Sequence, residues 1–174
     1  WLLLALWELH YVHRTFIYPF RMRAGDKPMP LGIVAGAFFF TSVNGFLNGY
    51  QLTHADYTHW TSDPRFALGA AMFLAGFAIN QHADHVLLTL RGPGERGYKI
   101  PYGGLYRFVS CPNYLGELLT WSGWAIASWS LAGVSFALWT LANLLPRAVS
   151  HHRWYQTTFA DYPKERRALI PFLL

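Results

Sequence analysis

The chain has 174 residues, of which 53% are hydrophobic and 18% aromatic, while only 13% are charged. Soluble domains carry about a quarter charged residues, so this chain is depleted of charge by about half. Its eight Trp and ten Tyr are residue types that favour membrane interfaces. These properties favour an integral membrane protein over a soluble domain with an unusually apolar core. The single cysteine excludes a disulfide framework and a cysteine-based zinc site.

Five apolar segments, taken in chain order, predict five membrane-spanning helices: residues 1–18, 31–50, 66–90, 114–129 and 131–146. A helix needs roughly 20 residues to cross the hydrocarbon. The first three segments reach this length or come close to it. The last two are shorter and hold Glu117 as their only charge, so we expect a tight helical hairpin that turns near residues 128–130. Gly and Pro are concentrated between the segments, where helices should end.

Basic residues concentrate on one side of the predicted bundle. Five crossings place residues 19–30, 91–113 and 147–174 on one face, which then holds twelve of the fourteen Lys and Arg residues and four acidic ones. The opposite face holds Asp56, Asp63 and Arg65. The positive-inside rule assigns the basic face to the cytoplasm. We therefore expect a multi-pass protein of a bacterial inner membrane or the endoplasmic reticulum.

Polar side chains recur at helical spacing within and beside these segments. Residues three or four apart share one face of a helix, and ionisable groups within a membrane usually face a cavity or each other. Five such stripes occur: Glu8, Tyr11 and Arg14; Asn44 and Asn48; Asn80 and Asp84; Asn113 and Glu117; Arg147, His151 and Tyr155. Any one stripe could serve only to hold helices together. Together they predict a polar cavity that opens to the basic side.

The groups around this predicted cavity match the parts of an anionic dinucleotide. Arg and Lys bind phosphates, and the carboxylates of Asp84 and Glu117 suit ribose hydroxyls or an amide. The rings of Tyr98, Tyr106 and Tyr155 can stack on a base or hydrogen-bond to it. The chain has neither a G-x-G-x-x-G turn after a strand nor a Walker lysine loop, so neither soluble nucleotide-binding fold applies.

The eight histidines raise a membrane metal enzyme as an alternative. They form H-x-x-H twice and H-H once, without the longer histidine boxes of membrane di-iron enzymes. His54 and His59 fall on the face opposite the predicted cavity. Ligands from opposite sides of a bilayer cannot converge on one ion, so we expect no metal site.

Several motifs occur in order along nearly the whole chain. They are His10-Tyr11-Val12-His13-Arg14-Thr15-Phe16-Ile17-Tyr18, Asn80-x-x-x-Asp84, Arg91-Gly92-Pro93-Gly94-Glu95, Tyr98-Lys99-Ile100-Pro101, Gly103-Gly104-Leu105, Asn113-Tyr114-x-Gly116-Glu117, and the tail from Arg147 to Ile170-Pro171-Phe172. In this combination the chain resembles the steroid 5-alpha-reductase family. The tail alone is also similar to those of related membrane reductases and of a carboxyl methyltransferase.

The resemblance implies an all-α, polytopic membrane bundle of seven helices, about five of which are represented here. Residues 1–174 would then be a single transmembrane reductase domain that lacks its N-terminal helices. It also implies that NADPH reduces the 4,5 double bond of a 3-oxo-4-ene steroid from a cavity that faces the cytosol. Tyr11 aligns with the family's catalytic tyrosine, which would polarise the substrate's ketone. The glutamate that usually pairs with this tyrosine has no counterpart, and we interpret Glu8 as a buried partner of Arg14.

By position, the resemblance assigns NADPH binding to eleven residues: Asn80, Asp84, Arg91, Tyr98, Lys99, Asn113, Glu117, Arg147, His151, Tyr155 and Arg166. Lys99 stands where arginine is common in relatives and should still contact phosphate. A short insertion near Arg23 and Lys27 leaves these two without an assignment. The expected partners are a steroid or another lipid enone and the bilayer, with no nucleic acid and no protein partner.

Three alternatives stay open. The same fold and cofactor could reduce an enoyl-CoA or another sterol double bond. An S-adenosylmethionine-dependent membrane methyltransferase would have less use for the many arginines. A lipid-binding or transport protein would use the polar stripes to line a path.

Overall fold

The computed structural model describes residues 1–22, 28–92 and 94–174, and these residues are mainly helical. The helices are α1 (Leu2–Val12), a π-helical turn (His13–Ile17), α2 (Tyr18–Arg21), α3 (Leu31–His54), α4 (Pro64–Thr89), α5 (Pro112–Ser128) and α6 (Leu131–Thr158). Two 3₁₀ helices, Trp60–Ser62 and Gly104–Arg107, lie in loops. Residues 2–21 form one long helix, because α1, the π-helical turn and α2 follow without a break. The predicted all-α class is confirmed, while Arg23 and Lys27 lie outside the described residues.

Each of the five predicted segments contains a long helix. The predicted hairpin is also present: Trp129 has a left-handed backbone (φ 44°) after α5. The Ser130 side chain then accepts a hydrogen bond from the Gly133 backbone N–H and caps α6. The predicted end of the last helix at residue 146 is wrong, because α6 continues through Pro146 to Thr158. An internal proline costs one helical hydrogen bond, and burial of Ala148 just beyond it supports the continuing helix.

Helices α4 and α5 pack backbone against backbone through four glycines, Gly69 and Gly76 on α4 and Gly116 and Gly123 on α5. A Cβ atom added at any of them would lie 2.3 to 2.5 Å from a backbone nitrogen of the facing helix. No real Cβ tolerates such a distance, so only glycine allows this approach. Small residues serve the same purpose in membrane helix pairs generally.

Helix α3 has the opposite distribution of residues to that of a soluble helix. Its only buried residues are Asn44 and Asn48. Its large apolar side chains, among them Leu31, Phe38 and Phe46, are exposed. By length and composition, α3 and α4 are the two helices of the described chain that could cross a membrane. Apolar residues outside and amides inside fit the predicted helical membrane bundle.

Contacts at the two ends show that successive helices alternate in direction. At one end, the Tyr57 hydroxyl donates to the Ser128 carbonyl at 3.0 Å, and the Trp60 indole N–H donates to the Ala127 carbonyl at 2.6 Å. This end joins the loop between α3 and α4 to the C-terminus of α5. At the other end, Arg21 Nη2 lies 3.2 Å from His85 Nδ1. This contact joins α2 to the last turns of α4.

The C-terminal tail is fastened to the loop before α5. The backbone N–H of Ser110 donates to the Arg167 carbonyl at 2.8 Å. The Ser110 hydroxyl lies 2.6 Å from both His152 Nδ1 and the Tyr162 hydroxyl. Cys111 is buried beside Leu169 and Ala148, and burial raises the pKa of its thiol to about 12. These contacts hold the loop, the tail and the end of α6 together.

Candidate active site

A polar cavity of about 390 Å³ opens among the helices, lined from α1 to α6. Five residues that the sequence singled out line it together: Tyr11, Asn80, Asp84, Asn113 and Glu117. They come from three separate helices and share one volume. The polar stripes on α1, α4 and α5 therefore converge, as predicted.

The α4–α5 contact sets the spacing of the polar groups on these two helices. The Asn80 side-chain amide donates to the Asn113 carbonyl at 3.0 Å. One turn further along α4, the Asn113 amide donates to Asp84 Oδ1 at 3.4 Å. A Cβ at Gly116 would lie 2.5 Å from the Asn80 backbone nitrogen. The missing side chain at this glycine therefore allows the two stripes to meet.

The π-helical turn changes the register of the first long helix beside the cavity. His10 Nε2 lies 3.5 Å from Glu117 Oε1, and Arg14 Nη1 lies 3.9 Å from Asp84 Oδ2. Tyr18, after the turn, also lines the cavity, and the Arg14 guanidinium lies over its ring at 4.7 Å. Single π-helical turns are frequent at functional sites.

The interpretation of Glu8 as a buried partner of Arg14 is wrong. Glu8 is exposed, and the carboxylate beside Arg14 is that of Asp84. The two positions lie six residues apart. At 100° per residue they point about 120° away from each other, so they cannot share a face.

The cavity has a polar mouth and an aromatic base. The polar end, which we call the mouth, is lined by Asp84 and Asn113, which stand near the ends of α4 and α5 that adjoin the basic loop between them. Its base is formed by Trp121 and Phe136, whose ring centroids are 4.1 Å apart. The ring of Tyr11 lies 5.9 Å from that of Trp121, and its side chain therefore reaches the apolar part. Flat apolar molecules and polar ones can thus meet inside one cavity.

An adjoining groove of about 670 Å³ runs between α3 and α6. It shares Phe40, Phe136, Trp139 and Asn143 with the polar cavity, so the two lie side by side. Arg147 lines the groove rather than the polar cavity. This side chain is therefore next to the site without being among its lining residues.

Three predicted cofactor residues lie in the loop after α4. Arg91 donates to a backbone carbonyl of the same loop at 3.3 Å, and Lys99 forms an ion pair with Glu95. The ring of Tyr98 lies edge-on to that of Trp154, with centroids 5.0 Å apart. None of the three lines the polar cavity described above. Their assignment to NADPH stays a prediction.

Two further predicted residues lie on the last turns of α6. The His151 side chain is exposed, and its ring lies 6.0 Å from that of Tyr114, which lines the cavity. The ring of Tyr155 stacks on that of Tyr162, with centroids 5.1 Å apart and an angle of 11°. Tyr155 is thus held by the tail, and His151 lies near the mouth of the cavity.

Arg166 is buried to 2% exposure although it carries a charge. One of its terminal nitrogens donates to the Pro101 carbonyl at 3.0 Å, and its guanidinium lies between the rings of Tyr102 and Tyr162. Its Nε is buried and has no hydrogen-bond partner in the described part of the chain. Buried cations are normally paired, so this side chain is suited to an anionic ligand.

Sequence reasoning missed some residues of the cavity and misplaced one near it. It gave His10 and Asn143 no role, although His10 stands in the motif around Tyr11. Arg14 was predicted in the stripe with Tyr11 and lines the cavity, but it was not assigned to the cofactor. Tyr106, predicted to stack on a base, is instead buried, and its hydroxyl donates to the Ala83 carbonyl at 3.4 Å. Burial raises the pKa of this phenol. Tyr106 therefore belongs to the packing beneath the loop.

Comparison with known proteins agrees with this geometry. The family profile described as 3-oxo-5-alpha-steroid 4-dehydrogenase matches residues 27–174. The chain therefore belongs to this steroid 5-alpha-reductase family. It is 52% identical over 174 residues to 3-oxo-5-alpha-steroid 4-dehydrogenase 1 of Mus musculus, covering 99% of this chain and 68% of the relative. The corresponding enzyme of Homo sapiens is 49% identical over 174 residues, with 99% and 67% covered.

The family extends beyond mammals. A steroid 5-alpha-reductase of Solanum lycopersicum is 45% identical over 179 residues, covering 99% of this chain and 68% of the relative. The chain thus spans about two thirds of the length of these curated relatives. The names of the relatives identify oxidoreductases of steroid metabolism, and the resemblance recognised from the motifs is confirmed.

Proposed function

We propose that this protein reduces the 4,5 double bond of 3-oxo-4-ene steroids with NADPH, and that Tyr11 hydrogen-bonds the substrate's ketone. The observation that carries the proposal is the single cavity shared by Tyr11, an aromatic base and a polar mouth. A steroid enone needs an apolar surface and one donor at its ketone. A dinucleotide needs amides and carboxylates, and both requirements meet in this volume.

The donor set fits NADPH in two places. Asn80, Asp84, Asn113 and Glu117 would hold the nicotinamide and its ribose, because amides and carboxylates together satisfy an amide and several hydroxyls. The buried guanidinium of Arg166, with its unpartnered Nε, would suit an anionic part of the cofactor. When bound, NADPH would supply the hydride that adds at C5 of the steroid. We further propose that Arg91, Tyr98, Lys99, Arg147, His151 and Tyr155 contribute to the same binding site.

Tyr11 would act on the ketone oxygen of the substrate. Hydride addition at C5 would move the electron pair of the double bond towards this oxygen as an enolate, and the phenol can donate a hydrogen bond to the charge that develops there. A proton from the medium would then add at C4 and complete the reduction. A tyrosine is neutral near pH 7 because its ordinary pKa is about 10. Its phenol therefore carries the proton needed for this hydrogen bond. The rings of Trp7 and Trp121 lie 5.0 and 5.9 Å from that of Tyr11, and with substrate bound they would help to keep water from this donor. One such donor in a dry site is worth about 3–4 kcal/mol.

The test is reduction of a panel of enones by the purified full-length protein in detergent with NADPH. We expect oxidation of NADPH with a 3-oxo-4-ene steroid. With NADPH deuterated at C4 of the nicotinamide, deuterium should appear at C5 of the product. Turnover of an enoyl-CoA but of no steroid would instead favour the alternative in which the same fold and cofactor reduce an enoyl-CoA.

The methyltransferase rival is tested by competition for binding. We expect NADPH to bind and S-adenosylmethionine not to displace it. Arg166→Gln should weaken NADPH binding because it removes the buried charge. Tight binding of S-adenosylmethionine without binding of NADPH would contradict the proposal.

We also propose that the protein crosses the membrane several times, with the mouth of the cavity on the cytoplasmic side. Support comes from the basic loops beside the mouth and from the exposed apolar surface of α3. Cysteine labelling of intact vesicles is a suitable test. Sites introduced at Thr58 and Glu165, at opposite ends of the bundle, should react from opposite sides.

A further inference from the structure

Three buried side chains form a hydrogen-bonded chain from α5 through α3. The Trp124 indole N–H donates to Asn48 Oδ1 at 2.8 Å. The Asn48 amide then donates to Asn44, to its Oδ1 at 3.0 Å and to its backbone carbonyl at 3.1 Å. Asn44 and Asn48 are the only buried residues of α3. This otherwise lipid-like helix therefore directs both of its buried amides into one chain.

The chain of hydrogen bonds has a fixed direction. An indole N–H can only donate, so Asn48 must present its oxygen to Trp124 and its NH₂ group to Asn44. Asn44 must therefore present its oxygen to Asn48. Its own NH₂ group is left at the far end of the chain. This nitrogen is buried and has no hydrogen-bond partner among the residues that the structure describes.

The far end of the chain lies on the side of α3 that faces the cavity. Phe40, one turn before Asn44 on α3, lines the cavity together with Tyr11, and the groove that Asn44 lines shares Phe40 and Phe136 with that cavity. The Asn44 side chain is also close enough to influence the Tyr11 hydroxyl. Asn44 is only 6% exposed, so water is a poor substitute as a partner for its free N–H. An unmade hydrogen bond on a buried amide destabilises the folded protein, because the group loses its bonds to water and gains none in return. A nearby acceptor that completes the chain would remove this cost.

The phenol oxygen of Tyr11 is such an acceptor. A hydroxyl has one donor and two acceptor sites, so a phenol that accepts from Asn44 can still donate its own proton elsewhere. An accepted hydrogen bond also polarises the phenol and strengthens the bond that it donates. An amide that only joined α3 to α5 would not need a free donor at the end of the chain.

We propose that Asn44 is a positioning residue for Tyr11: its side-chain N–H donates to the phenol oxygen and directs the Tyr11 proton towards the substrate's ketone. Asn48 and Trp124 hold Asn44 in the required orientation. The inference rests on the proposed function, since it presumes that Tyr11 donates to a ketone. It adds a residue outside the twelve that the sequence assigned.

The kinetic test compares Asn44→Leu with Thr41→Val, a control one turn earlier on α3 that removes an exposed hydroxyl. We expect Asn44→Leu to lower kcat about tenfold, with the KM for steroid and the Kd for NADPH within twofold of wild type. Thr41→Val should leave all three unchanged. Trp124→Phe, which removes the donor that fixes the direction, should lower kcat by a smaller factor.

A double mutant separates positioning from a general loss of structure. In a Tyr11→Phe background no phenol remains to be positioned, so Asn44→Leu should cause no further loss of kcat. An equal loss in both backgrounds would overturn the inference and leave the role of Tyr11 intact. A wild-type protein that reduced no enone would instead remove the proposed function, and with it the need for positioning.

A spectroscopic measurement tests the hydrogen bond without any turnover. With 3-fluorotyrosine in place of Tyr11, Asn44→Leu should shift the fluorine resonance, because the phenol loses a neighbouring donor. Thr41→Val should not shift it. A resonance that is the same in the Asn44→Leu and unsubstituted proteins would show that no such bond exists.

Discussion

Two sets of four glycines behave differently in this protein. Those of α3 follow the small-xxx-small spacing that commonly marks a packing face in membrane helices, yet a Cβ at each would meet nothing within 4 Å in the described structure. Those of α4 and α5 are seven residues apart on each helix, and each touches the backbone of its partner. Spacing alone therefore does not identify the packed face. A glycine serves in helix packing only where the backbone of another helix lies against it.

The packed glycines also determine where the polar groups of the cavity lie. Asn80 follows Gly76 by one helical turn, and Gly116 lies between Asn113 and Glu117. A close backbone contact therefore brings amides and a carboxylate of two helices to one cavity. Helix α3 instead contributes two asparagines and an apolar surface.

Adding one methyl group should distinguish the two glycine sets. Gly123→Ala places a Cβ about 2.4 Å from the Phe73 backbone nitrogen, so the helices must separate. We expect a loss of about 3 kcal/mol or more in stability, seen as a lower melting temperature in detergent. Gly45→Ala meets nothing and should stabilise α3 slightly, since alanine favours helix by about 1 kcal/mol over glycine. Equal melting temperatures for the two variants would contradict this interpretation of the packing.

The polar groups that the α4–α5 contact aligns should matter mainly for the cofactor. Asn80→Leu removes the donor to the Asn113 carbonyl and one polar group of the cavity. We expect NADPH binding to weaken about tenfold, or about 1.4 kcal/mol, as measured by fluorescence titration. Thr89→Val on the same helix removes a hydroxyl that bonds only to its own helix, and it should bind NADPH normally. Unchanged affinity in Asn80→Leu would remove this residue from the proposed site.

A substitution at the end of the bundle far from the cavity should change stability without changing NADPH binding. Tyr57→Phe removes the hydroxyl that donates to the Ser128 carbonyl. We expect a loss of about 1 kcal/mol in melting experiments, with NADPH affinity unchanged. Tyr50→Phe, on the exposed surface of α3, is the matched control. A weaker affinity for NADPH in Tyr57→Phe would show that the two ends are coupled.

The smallest expected effect is that of Asp63 on the stability of the protein in acid. Hydrogen bonds from Arg65 lower the pKa of Asp63, which caps α4, below its ordinary value of 3.8. This carboxylate therefore stabilises the fold above pH 3.8, and the contribution is lost as the pH falls through its lower folded pKa. We expect Asp63→Asn to melt with a weaker dependence on pH between 4 and 2. A melting temperature that falls as steeply in acid as that of the wild type would contradict this role.

The sequence predicted the parts of the fold that follow from composition. Apolar runs located all five long helices, and four-residue spacing identified Asn80, Asp84, Asn113 and Glu117 as one polar lining. The apolar run ended the last helix at Pro146, although the four-residue spacing of Arg147, His151 and Tyr155 is helical. That the helix continues through this proline depends on contacts that form only in the folded chain. The same is true of the π-helical turn beside Tyr11, which no spacing rule indicates. The role of Tyr11 came from family resemblance, since one tyrosine near several Trp residues does not mark itself as catalytic.

The most direct measurement is the single-turnover rate of Tyr11→Phe with saturating NADPH and a 3-oxo-4-ene steroid. Phenylalanine keeps the ring against Trp7 and Trp121 and removes only the hydroxyl. We expect the rate constant to fall at least about a hundredfold, because one donor in a dry site is worth about 3–4 kcal/mol, while the Kd for NADPH stays unchanged. A near-wild-type rate would contradict the assignment of Tyr11 as the donor to the ketone.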